Sequence, residues 1–410
     1  MATVALVGTL DTKSSEYQFV AERLRTLGVE VIMIDCGVLG QPGLVPEVDR
    51  YQVAGVAGED LDRLAAAGDR GAAVEAMSRG AAGVVEQLYG EGRLQGAMAL
   101  GGTGGTSLAA AAFRRLPLGV PKLIVSTAAT GDNQPYVGET DLILVPSVVD
   151  VAGLNRISTR ILANAAAAMA GMVTAAPPPA RDDERPLVAA SMFGVTTPCV
   201  TRAREQLEAL GYEVLVFHMT GAGGRTLESL VSNGMLVGVL DVTTTELADH
   251  LVGGIFDAGP DRLCAAARTG IPAAVSLGAL DMVNFGPMDS VPERFADRVL
   301  YRHNATTTLM RTTPDECREL GTRLAAKVRL SAGPAAVFVP LNGISAIATK
   351  GGPFHDPDAD AALYDAVRSG LQGSGVELIE RDDDINAMEF ADAMVQWLHA
   401  AISAAAARTR

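Results

Sequence analysis

The stretch VALVGTLDTKSSEYQFVAERLRTLGVEVIMID, residues 4 to 35, returns in outline as VAASMFGVTTPCVTRAREQLEALGYEVLVFH, residues 188 to 218. Each copy runs as a continuous apolar segment, a polar loop, a helix of amphipathic spacing closed by glycine, and a second apolar segment. Apolar runs without polar alternation, separated by helices, are strands buried on both faces of a parallel sheet. The first copy divides into a strand at 2–8, a helix at 14–28 ending in Gly28, and a strand at 29–37; the second into a strand at 186–194, a helix at 200–211 closed by Gly211, and a strand at 212–221. The repeated spacing reads as a structural duplication.

The same grammar fills the rest of each half. A helix at 72–92, a strand at 94–102, a small-residue helix behind it, and strands at 121–129 and 140–148 continue the first; apolar segments around 236–247, 271–281 and 334–343 continue the second. Between the halves, TAAPPPARDDERP at 174–186 breaks every pattern with three consecutive prolines and a charge run. The expected organisation is α/β: a Rossmann-like doubly wound domain over 1–176, a linker at 177–186, and a second such domain over 187–410, with mainly parallel sheets and an interdomain cleft. The length of 410 residues suits two domains better than one core.

In open parallel sheets, ligands lie beyond the carboxyl ends of the strands. The loops following strands are therefore the places to look. ALGGTGGTSLA, residues 99–109, follows a strand, opens a helix, and sets Gly101, Gly102, Gly104 and Gly105 around Thr103, with Thr106 and Ser107 adding hydroxyls. So bare a segment is either a tight turn or a cradle of backbone N–H groups for a phosphate or carboxylate at a helix start. It lacks the Gly-Lys-Ser/Thr of a P-loop and the G-x-G-x-x-G spacing. GTLDTK, residues 8–13, offers Thr9, Asp11, Thr12 and Lys13 as a second anion loop; the competing reading is a helix cap by Thr12 or Ser14 with Lys13 solvated.

In the second half, HMTGAGG places His218 at a strand end beside Gly221, Gly223 and Gly224. Strand-end carboxylates Asp11, Asp35, Asp132, Asp241, Glu246 and Asp281 are candidates for holding Mg²⁺ through water or for acting as bases. HNATTTLMRTT, residues 303–313, carries His303, Asn304, Thr307 and Arg311 with strand-like alternation, and Arg311 reads as a bidentate anion clamp or as half of a surface ion pair. His218, Asp241, Asp281, His303 and Arg311 form the expected catalytic set.

A formal net charge of −15 and the absence of a basic run exclude a nucleic-acid surface. Cys36, Cys199, Cys264 and Cys317 are scattered and form no C-x-x-C pair, which fits free thiols in a reducing compartment. No apolar segment approaches the ~20 residues of a membrane helix, and MATVALVGTLDTK lacks the basic region of a signal peptide. These features lead to the expectation of a cytoplasmic protein that contacts no membrane.

GTLDTK, GGTGGTS, FGVTTPCV, HMTGAGG, SLGALDMVNFG, HNATTTLMRTT and GGPFHDPDADAALYDAV, in this order, resemble the family of the ATP-binding region of the tomato mosaic virus resistance protein and its bacterial relatives. The resemblance spans essentially the whole chain. It implies two Rossmann-like domains, ATP binding, and assembly into a homodimer or higher homo-oligomer. By motif match it assigns Gly101, Gly102, Thr103, Gly104, Gly105 and Thr106, together with Thr9, Asp11, Thr12 and Lys13, to nucleotide phosphates. Two functional expectations follow: an ATP- and Mg²⁺-using enzyme acting on a small molecule by phosphoryl or nucleotidyl transfer or ligation, or a non-catalytic protein that closes on ATP and contacts a protein partner.

Overall fold

A computed structural model describes residues 1–176 and 184–409. Most of the expected linker, residues 177–183, lies outside the described residues. The chain divides into two compact units, Met1–Pro179 and Ala180–Arg410.

In unit 1, five strands, β1 (Thr3–Gly8), β2 (Glu30–Asp35), β3 (Gly96–Gly101), β4 (Lys122–Ser126) and β5 (Ile143–Pro146), form one parallel sheet in the order β2-β1-β3-β4-β5. Helices α1 (Ser14–Thr26), α2 (Arg50–Val56), α3 (Leu61–Ala67), α4 (Arg70–Gly90), α5 (Thr103–Phe113), α6 (Gln134–Val137) and α7 (Ser158–Thr174) complete it. Val20, Leu24, Leu162 and Met169 of α1 and α7 pack with Val4 and Leu6 on one face. Met77, Val84, Leu108 and Phe113 of α4 and α5 pack with Ala5 and Val7 on the other. Covering both faces is what makes the strands continuously apolar.

Unit 2 repeats the plan. Its parallel sheet takes β6 (Leu187–Met192), β7 (Glu213–His218), β8 (Gly238–Thr243), β9 (Ala273–Gly278), β13 (Ala335–Pro340) and β14 (Glu377–Arg381) in the order β14-β13-β9-β8-β6-β7. Read from the second strand of each unit, both sheets run second, first, third, fourth, fifth, so the duplication expected from sequence extends to strand order. Between β9 and β13 the chain inserts a small antiparallel sheet, β10 (Met282–Phe285), β11 (Leu300–Arg302) and β12 (Thr308–Arg311). That insertion was not foreseen: the strand expected near 303–313 is only Thr308–Arg311, and His303 and Asn304 belong to the turn before it. Helices α8 (Thr197–Ala209), α9 (Ala222–Ser232), α10 (Glu246–Val252), α11 (Ala265–Thr269), α12 (Pro314–Val328), α13 (Pro357–Leu371) and α14 (Met388–Thr409) cover the sheet. No helix among the described residues is long and apolar enough to cross a membrane.

Candidate functional site

In the order β2-β1-β3, the chain leaves β1 and β3 toward opposite faces of the sheet, which opens a crevice between the carboxyl ends of these two strands. The two loops singled out in the first half both stand on that crevice. Tyr17 of α1 reaches into it from below: its single O–H lies within donating distance of the carbonyls of Val7 (2.6 Å) and Leu100 (3.0 Å), and its oxygen accepts from the Leu100 N–H (2.9 Å). Tyr17 is fully buried and substitutes for strand-to-strand bonds where the ladder ends at Val7 and Ala99.

The glycine stretch is less of a loop than the sequence suggested. Helix α5 begins at Thr103, with Gly102 as its N-cap, so that Gly104 and Gly105 lie in its first turn. No side chain caps it. The N–H groups of Thr103, Gly104 and Gly105 therefore lack intrahelical acceptors and carry the positive end of the helix dipole. Thr106 turns inward instead, its hydroxyl bonding the Gly102 carbonyl (2.9 Å) and Ser126 (2.6 Å). The guanidinium of Arg70, first residue of α4, lies 3.7 Å from where a Gly104 Cβ would sit, with no ion-pair partner among the described residues. Nothing in the local sequence marks Arg70, which reads as an ordinary first-turn residue more than thirty positions upstream; only the packing of α4 on α5 brings it here.

The loop 9–13 is tightly tied. Thr9 and Thr12 share a hydroxyl bond (2.9 Å), and the Lys13 N–H returns to the Thr9 carbonyl (3.1 Å). Neither Thr12 nor Ser14 caps α1; Ser14 donates to the Leu10 carbonyl, and the Lys13 ammonium to the Val151 carbonyl in the loop after β5. Asp35, buried at the end of β2, accepts from the N–H groups of Leu10 (3.1 Å) and Gly37 (2.9 Å) and from Arg50 Nε (2.7 Å). Asp11 accepts from the Gly40 N–H (3.2 Å).

In unit 2 the expected catalytic set separates into three places. Asp241 is bound through both oxygens to the two outer nitrogens of Arg262, at 2.6 Å each. Arg262 also holds Glu246 (2.7 Å) and Glu228 (3.3 Å), and is itself 1% exposed. Burial works against its charge, and the three carboxylates outweigh burial, holding the guanidinium above its ordinary range. Burial likewise lifts Glu228 and Glu246, against the pull of Arg262.

The second place holds Asp281 and Arg311. Arg311 is buried, donating to Asp360 (2.6 Å) and the Phe354 carbonyl (2.9 Å), which makes it an internal ion-pair partner and not a clamp open to solvent. Asp281 accepts from Ser345 (2.8 Å), and burial raises it to about 6 despite Arg311. The third place is exposed: the His218 ring lies 5.3 Å from that of Phe193, and His303 Nε2 lies 3.9 Å from where a Gly194 Cβ would sit. Burial lowers the His218 pKa.

The duplicated fold supplies its own comparison. Val4 pairs with Gly96 in unit 1 and Val188 with Gly238 in unit 2, and counting onward from these glycines makes Glu246 the counterpart of Gly104. In unit 2 that position carries a carboxylate folded onto the start of α9, accepting from Gly221 N–H (2.7 Å) and Gly224 N–H (3.0 Å) and clamped by Arg262. Unit 1 has backbone, space and a positive charge at the same point. By the same register His218 is the counterpart of Asp35.

Fold and site together define a two-unit α/β protein with parallel sheets of matching order and a bare, uncapped helix start after the third strand of the first unit. The chain belongs to the Uncharacterised protein family (UPF0261): the model of its N-terminal domain matches residues 2–178 and that of its C-terminal domain residues 185–402. A UPF0261 protein of Clostridium tetani is 48% identical over 395 residues, covering 96% of this chain and 98% of its own. One from Rhizobium meliloti is 44% identical, with coverage of 96% and 98%. The ToMV resistance protein Tm-1(GCR237) of Solanum lycopersicum is 38% identical over 96% of this chain, which spans 55% of that protein. Among solved structures, UDP-N-acetylglucosamine 2-epimerase from Rickettsia bellii aligns with 67% of this chain and 78% of its own at 11% identity and a TM-score of 0.23, a likeness too distant to bear on ligand or reaction.

Proposed function

We propose that unit 1 binds a nucleoside triphosphate, ATP, through its phosphate chain at Gly101–Thr106. The observation that carries this reading is the uncapped start of α5 with Arg70 against it, at the position where unit 2 fills the equivalent space with Glu246. Three unpaired N–H groups, a helix dipole and a guanidinium make a site for polyanionic oxygens. ATP, as against another anion, is what the sequence resemblance implies.

Among the described residues no group of three or more acidic, histidine or cysteine side chains is placed to hold a metal ion. An ion that keeps most of its waters and rides on phosphate oxygens would be brought by the nucleotide. The enzyme reading, in which bound ATP is used on a small molecule, narrows in unit 2 to His218 and His303, because Asp241 and Arg311 are spent on ion pairs inside the fold and Asp281 is fully buried.

The test is calorimetric titration of ATP and of inorganic tripolyphosphate, with and without Mg²⁺, into the wild type and Gly104→Glu. The substitution puts in unit 1 the carboxylate that unit 2 already carries. The wild type should bind both ligands, and the variant neither while melting near the wild-type temperature. Equal binding by the two proteins sinks the assignment of phosphates to this turn.

A further inference from the structure

Two buried polar atoms at the ends of β1 and β2 have no hydrogen-bond partner: Asp11 Oδ1 and Arg50 Nη2. Everything else on these groups is used. Asp11 Oδ2 accepts from Gly40 N–H, Arg50 Nε donates to Asp35, and Arg50 Nη1 donates to the Gly40 carbonyl. Arg50 is 6% exposed, so its free N–H has no bulk water to turn to. Both orphan atoms face the bare Cα of Gly37, where an added Cβ would stand 2.5 Å from Nη2 and 2.9 Å from Oδ1. They are not bonded to each other.

An acceptor and a donor left unpaired in a buried place each carry an unrecovered desolvation cost. One oxygen that donates to the carboxylate and accepts from the guanidinium satisfies both. An anion is repelled by Asp11 and a cation by Arg50. What fits is a neutral hydroxyl.

We propose that Asp11 and Arg50 form the subsite for a ribose hydroxyl of the nucleotide whose phosphates lie at Gly101–Thr106; the inference rests on that reading. Position supports it. In the sheet β2 neighbours β1, and β1 neighbours β3, so the end of β2 stands two strand spacings, roughly 10 Å, from the glycine turn. A ribose and its phosphate chain bridge such a span. Dinucleotide-binding folds place a ribose-reading acid in the region that follows the second strand. Here Asp35 occupies that place but is consumed by Leu10, Gly37 and Arg50, and the free valences pass to Asp11 and Arg50. This also gives Asp11 a role that a carboxylate has no means of filling against phosphate.

The experiment compares ATP, 2′,3′-dideoxy-ATP and tripolyphosphate on the wild type and Asp11→Asn, with melting temperature as the folding control. A hydrogen bond to a charged group corresponds to roughly a tenfold change in affinity. The wild type should bind the dideoxy nucleotide about tenfold more weakly than ATP. Asp11→Asn should lose the same factor for ATP, lose nothing for tripolyphosphate, and no longer distinguish the two nucleotides. Equal wild-type affinity for ATP and its dideoxy form overturns the subsite with no variant needed. Equal loss of ATP and tripolyphosphate in Asp11→Asn overturns it by placing Asp11 at the phosphates. Failure of tripolyphosphate alone to bind the wild type removes the glycine turn instead, and leaves the hydroxyl subsite to be judged by the sugar comparison; failure of all three ligands overturns both.

Discussion

Arg262 and Asp241 meet as a fork on a fork, two nitrogens on two oxygens at 2.6 Å, in a place solvent does not reach. The pair joins the end of β8 to the segment before α11, and through Glu246 it also fixes the start of α9. Removing one partner of such a pair leaves uncompensated buried charge. Arg262→Met is expected to destabilise the protein by about 3–5 kcal/mol, read as a fall in the urea midpoint with an unchanged slope. A loss under about 1 kcal/mol would show that water reaches the cluster and compensates for the missing charge.

In the proposed phosphate site, Arg70 supplies the charge that backbone N–H groups lack. Arg70→Ala should weaken ATP by roughly tenfold and flatten the fall of affinity with added salt, since one screened charge is gone. Stability should stay within about 0.5 kcal/mol of the wild type, because the side chain is exposed. An unchanged salt dependence would place Arg70 outside the site.

Tyr17 and Gly8 are matched. A Cβ at Gly8 would stand 1.9 Å from the Tyr17 hydroxyl oxygen and 2.2 Å from the ring carbon that bears it. Tyr17→Phe strands the Leu100 N–H and should cost about 1–3 kcal/mol. Gly8→Ala should lower the melting temperature further, and Gly8→Ala with Tyr17→Phe should not recover, since the ring carbon remains in the way. Thermal scans of the three variants check the ordering; recovery in the double variant would mean that the hydroxyl alone sets the spacing.

Burial raises Asp281 to about 6 and Asp249 to about 7. A carboxyl whose folded pKa lies above its unfolded value of about 3.9 contributes stability that is complete below the unfolded value and is lost as pH rises through the folded one. For these two groups that window runs from about pH 4 to pH 7. Asp281→Asn, which keeps an acceptor for Ser345 and no charge to bury, should be less sensitive to pH across it. Unfolding curves at pH 5 and pH 7 decide: the variant should gain on the wild type as pH rises. A constant difference would show that Asp281 does not titrate there.

Apolar runs and closing glycines made the two parallel sheets legible, because a strand covered on both faces has almost no freedom of composition. The glycine stretch was legible as the junction of a strand and a helix, although its residues form the first turn of α5 itself, since Gly104 and Gly105 fit a helix start as readily as a loop. Arg70, Arg50 and Arg262 were not legible. Each is placed by packing against residues outside its own element, and an arginine bound for an interior carboxylate looks in sequence like one bound for water. The same blindness affected Asp241 and Arg311: strand-end position suggested chemistry, while the side chains close on their own fold. Residues 282–311 build a small antiparallel sheet whose strands of three and four residues are too short to show a period.

In the phosphate site proposed for unit 1, the first turn of α5 offers main chain and no side chain. Alanine scanning works by taking atoms away, and at Gly102, Gly104 and Gly105 there is nothing to take. A survey of this protein by truncation would pass over that turn and report only the arginine beside it. Such a surface yields to the opposite tool, in which atoms are added one position at a time and the step from glycine to alanine to a larger side chain maps how closely a ligand approaches.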